Sequence, residues 1–461
     1  MTDDASGPGT GSARPEVRAA GLLKARPVWA FPVAVAGVVV MLMTLIYFGS
    51  IVDPTAHLHG LPVLVVDQDA GVSTRAGRTD LGRQVVTELT RSRAVTDRLS
   101  LDVTNLSTAE AKMDRGADYA ALVVPRDFSG SVMALAGSPG TANASGSLPT
   151  IELLTNERMG TLGVSLASGV LQPAVDEISK GIGRQVLAPA AKAGTAHAPA
   201  ALLADPVSLS TQDYRPLPSH SGLGLSAFYV SLLITMCGFL GATIVNSSLD
   251  GVLGYATSEV GPWWRQRVPA RISRWQTLLA KWAVAIAATF VSTGLLLGVA
   301  AGILRMDAPH VLYLWMFAWY AAAVIALGTL VLYAALGSLG QLLGLLGFVY
   351  LALASSGGTI PLQALGGFYR FVANFEPLRQ ILGAVRAIIY FNAAGDAGLD
   401  RGLLLTSIGL VFWVVVGLVV TAWYDRKGLY RIEPGLSEFV TSSVRAYKDS
   451  QAGGPAGERA G

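Results

Sequence analysis

The amino-acid sequence predicts an α-helical integral membrane protein with six transmembrane helices and a large extracytoplasmic α/β (α+β) domain between helices 1 and 2. Charged residues make up only 14% of the 461 residues, whereas soluble proteins contain about a quarter. Six stretches are apolar and long enough to cross a bilayer. The long segment between the first two stretches instead alternates between strand and helix patterns.

Each predicted span is a run of mostly apolar residues, and a bilayer requires about 20 of them. In chain order, the spans lie near Val28–Ser50, Leu223–Val245, Leu278–Ile303, Val311–Leu336, Gly340–Ala354 and Leu403–Trp423. None of these stretches contains Asp or Glu, which argues against coupling to a proton gradient. Lys281 lies near the end of the third span, where its long side chain can snorkel to the interface.

Basic residues cluster in both tails and in the loop after the second span, and such clusters favour the cytoplasm. Both termini are therefore expected to be cytoplasmic. The expected division is a tail over 1–27, a first helix over 28–50, an extracytoplasmic domain over 51–221, a five-helix domain over 222–424 and a tail over 425–461.

The extracytoplasmic segment is expected to form a mixed sheet with helices between its strands. Strands are predicted at Leu61–Asp67, Leu99–Thr104, Tyr119–Val124 and Thr150–Thr155. Helices are predicted around Leu81–Leu89, from a capping box at Ser107, from about Asp127, and over Met159–Ala191, where Pro173 should kink or split the helix. The Gly/Ser/Ala-rich residues 136–147 are expected to form a surface loop.

The sequence indicates no enzyme, cofactor or metal site. His57 and His59 lie two residues apart, but no Cys or third His is near them in the sequence. There is no phosphate-binding loop, so transport driven by ATP would need a separate ATPase chain. The net charge of +3 implies no nucleic-acid partner.

Between the fifth and sixth spans, residues 357–392 are expected to form a pair of short amphipathic helices at the membrane surface. A glycine pair permits a sharp reversal of the chain before them. The residues of interest are Gly357, Gly358, Pro361, Phe368, Arg379 and Arg386. One alternative is a hairpin that lies in the interface, with its arginines among lipid headgroups.

Glycines recur at helical spacing around the start of the fifth span, at Gly337, Gly340, Gly344 and Gly347. Small residues on one face let helices approach closely. This stripe predicts helix packing, either within the chain or against a second subunit.

Several short motifs, in this order, resemble a known family. They are Pro62-Val-Leu-Val-Val-Asp67-Gln-Asp69, Gly116-Ala-Asp-Tyr119, Val124-Pro-Arg-Asp-Phe128-Ser129, Thr155-Asn156-Glu157 and Ser355-Ser-Gly-Gly-Thr-Ile-Pro361. With one anchor, a large external domain and five further spans, the chain resembles the ABC-2 type permeases. The closer resemblance is to the YhgE/Pip and DUF3533 (nitrosoguanidine-resistance-like) membrane proteins.

The resemblance implies a homodimer that exports a hydrophobic small molecule or lipid-like substrate across the bacterial inner membrane. It implies that the hairpin over 357–392 caps the pathway as an external gate, so that changing Gly358 or Arg386 impairs export more than folding. It also implies that an ATPase subunit docks on a cytoplasmic coupling loop that contains Arg265, Arg267, Pro269 and Arg271. The alternative for this loop is an ordinary basic flank. The alternative for the protein is a non-transporting envelope receptor or assembly factor.

Overall fold

The computed structural model describes residues 26–74, 77–137, 148–192, 199–265, 267–429, 431, 438, 439, 442, 443 and 446. The predicted loop over 136–147 lies outside this set from residue 138 onward, as do most of the two predicted tails.

Six helices in the described ranges are long and apolar enough to cross a membrane, which confirms the multi-pass prediction. The first is α1 (Arg26–Ile51), with Pro32 inside it. The candidate spans within the helices are Pro32–Ile51, Ser226–Val252, Arg274–Ile303, Val311–Leu336, Ser338–Ser355 and Leu399–Arg426. Each overlaps one predicted span.

A mixed five-stranded sheet forms the core of the region between the first two spans, which we call the sheet domain. Its strands are β1 (Leu61–Asp67), β4 (Leu99–Thr104), β5 (Ala120–Val124), β6 (Thr150–Thr155) and β7 (Ser208–Asp213). The spatial order is β4-β1-β5-β6-β7. Strand β1 runs parallel to β4 and β5, β6 runs antiparallel to β5, and β7 runs parallel to β6. A small separate hairpin pairs β2 (Val72–Thr74) with β3 (Gly77–Thr79).

Helices cover both faces of this sheet because alternate strand residues point to opposite sides. Val63 and Leu122 belong to one apolar cluster, whereas Leu64 and Ala121 belong to another. The helices are α2 (Leu81–Arg91), α3 (Arg93–Thr96), α4 (Leu106–Asp114), α5 (Phe128–Leu135), α6 (Thr161–Ile182), α7 (Ala188–Lys192) and α8 (Ala200–Ala204). A π-helical stretch, Gly183–Leu187, joins α6 to α7.

Several details of this domain differ from the prediction, which contains neither the β2–β3 hairpin nor the short helices α3 and α8. Strand β7 is absent from the prediction because its sequence, SLSTQD, has no apolar run. Helix α4 begins at Leu106 rather than at Ser107, because the Asn105 side chain caps it by accepting a hydrogen bond from the Thr108 N–H. Helix α6 contains Pro173 without being split.

The membrane region after the sheet domain contains the remaining helices. They are α9 (Ser226–Val252), α10 (Arg274–Leu297), α11 (Val311–Leu336), α12 (Ser338–Leu345), α13 (Ala352–Ser355), α14 (Gly367–Val372), α15 (Pro377–Tyr390) and α16 (Leu399–Arg426). A hairpin of β8 (Ser258–Val260) and β9 (Trp263–Arg265) lies between α9 and α10. Short π-helical stretches extend α10 over Gly298–Ile303 and join α12 to α13 over Leu346–Leu351.

The sheet domain is completed by residues that come after the fifth span. Ile360, Ala364 and Leu365 are buried in its main apolar core. The Gln363 carbonyl also accepts a hydrogen bond from the His59 N–H at 3.0 Å. The segment between the fifth and sixth spans therefore lies against both the sheet domain and the membrane helices.

Candidate functional site

The reversal after the fifth span depends on its two glycines for different reasons. Gly357 has a φ of 73°, a conformation that favours glycine. Gly358 has no positive φ, but a Cβ at this position would overlap the ring of Phe228 in α9. A larger side chain at Gly358 must displace Phe228, so we now expect a change at this position to disturb folding as well as export. Pro361 follows and begins a single 3₁₀ turn, Leu362–Ala364.

The first of the two predicted helices, α14, exposes aromatic residues. Phe368 and Phe371 of this helix, and Phe375 shortly after it, are each more than 60% exposed in the described structure. Phe371 and Phe375 stack edge to face, with ring centroids 5.3 Å apart. The apolar side of this helix is therefore only partly covered by the protein.

The second predicted helix, α15, is buried, unlike a helix lying at the membrane surface. Its apolar side belongs to a core cluster that also contains residues of α9 and α11. The large apolar residues on this side are all buried, namely Ile381, Leu382, Val385, Ile388 and Ile389. The amphipathic pattern is correct, but protein covers the apolar side.

Glu376 caps α15 at its N-terminus. Its carboxylate accepts hydrogen bonds from the Leu378 N–H and, at 2.9 Å, from the Arg379 N–H. Burial raises the pKa of this carboxyl to about 8. The guanidinium of Arg379 donates to the Ala373 carbonyl at 3.0 Å and thereby ties the turn to the helix.

Arg386 lies in the protein rather than among headgroups, which contradicts the interfacial alternative for this residue. It donates to the Gly358 carbonyl at 3.3 Å, and its Nε is buried without a partner among the described residues. Burial lowers the pKa of its guanidinium. Gly160 of the sheet domain is adjacent, since a Cβ there would lie 3.5 Å from an Arg386 nitrogen.

Further contacts join the sheet domain to the end of α15. Arg158 donates to the carbonyls of Tyr390 and Pro216, each at 3.2 Å. Arg115 forms an ion pair with Asp396 at 3.0 Å. The hairpin is thus held in place by the sheet domain as well as by the membrane helices.

A cavity of about 380 Å³ lies between the hairpin, α11 and α16. Apolar side chains from α11 and α16 form most of its wall, and Gln380, Asn374 and Thr406 add polar groups. Phe375 and Phe412 line the cavity and are also largely exposed. The cavity therefore has an apolar interior, a few polar anchors and an open side between exposed apolar residues.

The predicted glycine stripe contains positions of different kinds. Gly337 has a φ of 61° and forms the turn between α11 and α12. A Cβ at Gly340 would overlap the Leu332 carbonyl, and one at Gly344 would lie 3.1 Å from the Phe239 ring. A Cβ at Gly347 would meet nothing within 4 Å. Close packing within the chain therefore explains Gly340 and Gly344 but not Gly347.

Only part of the predicted coupling loop forms regular secondary structure. Arg265 ends strand β9, and its side chain lies outside the described residues. Arg267 and Arg271 are exposed, and Pro269 is half-buried between them. Arg271 lies 3.4 Å from Glu438, with both side chains exposed.

A buried ionic cluster lies next to this loop, and no sequence pattern predicts it. Helix α9 continues beyond the predicted end of the second span, so Asp250 falls in its last turn rather than in a loop. The Lys281 ammonium donates to Asp250 and to Asn246, both at 2.7 Å. Arg431 also pairs with Asp250, at 2.6 and 2.9 Å. Lys281 is thus a buried ion-pair residue and does not snorkel.

Some residues of these sites were not predicted, and only some of them lie in a recognisable sequence pattern. Glu376 directly precedes Pro377, an arrangement typical of a helix N-terminus. Gln380 and Thr406 give no such signal, because a single polar residue in an apolar stretch does not show which side of its helix faces a cavity.

Comparison with known proteins places these features in a family. No curated protein and no solved structure matches the chain. One family model, described as a protein of unknown function (DUF3533), matches residues 33–419 and so covers most of α1, the sheet domain and most of the last span. The chain therefore belongs to the DUF3533 family.

Proposed function

We propose that this protein exports a hydrophobic or amphipathic compound across the bacterial cell membrane as an ABC-2 type permease-like protein. The cavity between the hairpin, α11 and α16 carries this proposal. Apolar pockets with a few convergent polar groups are typical sites for small molecules. Gln380 and Thr406 can hold a polar group while the apolar wall takes the rest of the compound. Because Ile408 and Phe412 are exposed on the same helix, a compound dissolved in the bilayer can reach the cavity sideways.

In this proposal the sheet domain is extracytoplasmic, both termini are cytoplasmic, and two copies form the pathway. The hairpin lies above the cavity and is braced by the sheet domain through Arg158, which donates to the Tyr390 carbonyl. A movement of the sheet domain would therefore be transmitted to the hairpin. Energy would come from a separate ATPase chain, for which exposed Arg267 and Arg271 offer a docking surface.

The export proposal is tested by filling the cavity. In Gly409→Phe, the new ring enters the cavity that Gly409 lines. The control is Gly241→Phe in α9. A Cβ at Gly241 would meet nothing within 4 Å, and Gly241 does not line this cavity. Cells without the gene receive wild type or a variant, and accumulation of cationic, neutral and anionic amphipathic dyes is measured. Wild type and Gly241→Phe should lower accumulation of at least one dye, and Gly409→Phe should not, at equal membrane levels.

Equal accumulation in cells with and without the wild-type protein, across all the dyes, would count against export of amphiphiles. It would favour a receptor or assembly factor instead.

A separate experiment tests docking of the ATPase. Reversing the charge of Arg267 and Arg271 should reduce copurification of an ATPase without lowering the yield of the protein, and unchanged copurification would contradict docking on this loop.

A further inference from the structure

A second cavity lies at the opposite end of the membrane helices. It measures about 430 Å³ and is lined by residues of α9, α10, α11, α16 and the segment after α16. Tyr424 lines it, whereas Gly409 of the same helix lines the first cavity, so the two sites are roughly 22 Å apart along α16. The second cavity is therefore not part of the proposed substrate site.

The wall of the second cavity is positively charged. Arg274, Lys281 and Arg431 all line it. Lys281 has only 6% of its side chain exposed and shares the single carboxylate of Asp250 with Arg431. One negative charge thus compensates two positive charges. This local excess of positive charge attracts a further anion.

Arg274 adds a third positive charge, and the nearby carboxylate of Asp425 attracts it electrostatically, so three positive charges face two negative ones. Its Nε donates to the Leu429 carbonyl at 2.7 Å, and its guanidinium lies 5.0 Å from the Tyr424 ring centroid. No carboxylate among the described residues forms an ion pair with it. Nearby Asp425 accepts from the backbone N–H groups of Arg274 and Trp275 instead.

We propose that this cavity binds a negatively charged phosphate group. The planar guanidinium of Arg274 matches the geometry of phosphate oxygens, and the ammonium of Lys281 has a third N–H beyond the two used by Asp250 and Asn246. Leu278, Leu330 and Leu429 give the same cavity an apolar wall. Basic pockets at the ends of transmembrane helices are suited to anionic lipid headgroups, and a soluble phosphate ester offers the same chemistry.

The test uses the purified full-length chain in a neutral detergent and measures equilibrium binding of three probes. Dioctanoyl phosphatidylglycerol and dioctanoylglycerol carry the same chains and differ by the phosphoglycerol group, and inorganic phosphate carries no chains. Phosphatidylglycerol should bind, and dioctanoylglycerol should bind at least about tenfold more weakly, as expected for the loss of charge-assisted hydrogen bonds. Competition by inorganic phosphate would assign a soluble phosphate ester, whereas no competition would assign the lipid headgroup.

Variants separate the cavity from general electrostatics. Arg274→Gln should weaken phosphatidylglycerol binding about tenfold, and Arg274→Lys, which keeps the charge, should weaken it less. Arg426→Gln is the matched control, because Arg426 is exposed and does not line the cavity. Should Arg274→Gln fail to fold, Ala334→Phe fills the cavity and leaves its charges in place. Equal binding of the two dioctanoyl probes, or wild-type affinity in Ala334→Phe, would overturn the proposal.

Discussion

The buried carboxyl of Glu376 should make the stability of the protein depend on pH. Its pKa rises from a reference value of 4.5 to about 8 in the fold. Between these values the folded protein keeps a proton that the unfolded chain has released. The stabilisation is therefore complete below about pH 4.5 and is lost as pH rises towards 8, by about 1.4 kcal/mol per pH unit.

Glu376→Gln should remove this dependence. Thermal unfolding of the detergent-solubilised protein, measured from pH 5 to 8, should show a falling Tm in wild type and a flatter profile in the variant. Glu110→Gln serves as the control, since Glu110 is exposed on α4. Parallel profiles in wild type and Glu376→Gln would show that the carboxyl is not protonated in the fold.

The second residue-scale prediction concerns Asp250, the only carboxylate that pairs with Lys281 and Arg431 among the described residues. Asp250→Asn leaves the buried ammonium of Lys281 without its counter-ion, which should cost about 3–5 kcal/mol. Urea unfolding of the solubilised protein measures the change. Asp102→Asn, at an exposed pair with Lys112, should change little. A variant Asp250→Asn as stable as wild type would mean that Lys281 finds another partner or loses its proton.

At the scale of elements, the junction between the sheet domain and α15 should depend on Arg158. Arg158→Ala removes the donor to the carbonyls of Tyr390 and Pro216, which should cost about 1–3 kcal/mol. Hydrogen–deuterium exchange should then rise in α15, while α10 and α11 stay protected. Arg115→Ala, which removes only an exposed ion pair with Asp396, should leave exchange in α15 near wild type. Unchanged protection in Arg158→Ala would show that apolar packing alone holds this junction.

Elements differ in how far the sequence determines them. Strands β1, β4 and β6 have the predicted bounds because each is an apolar or alternating run between clear breaks. Strand β7 is polar, so its place in the sheet is set by pairing with β6 rather than by its own pattern. Helix α15 has the predicted apolar side, but periodicity cannot tell lipid from protein as the surface that covers it. The cavities combine residues distant in sequence, such as Asn374 with Phe412, and no local pattern shows that combination.

At the scale of the whole molecule, six spans would place the two ends of the chain on the same side of the membrane, and we propose that the sheet domain lies on the other side. Single cysteines at exposed Ser73 and Ser442 test this in a Cys237→Ala background, since Cys237 is the only cysteine of the chain. An impermeant thiol reagent applied to intact cells should label position 73 and spare position 442. The opposite pattern would reverse the orientation.

The insertion of Ile360, Ala364 and Leu365 into the core of the sheet domain has a consequence for biosynthesis. The ribosome makes strand β7 long before it makes these three residues. At about 5–20 residues per second, the interval is on the order of ten seconds. During this time four further spans are synthesised while the sheet domain lacks part of its interior. Maturation of the sheet domain is thus tied to insertion of the fifth span, and a fragment ending before residue 360 is expected to be less stable and more open to proteases than the same domain in the full chain.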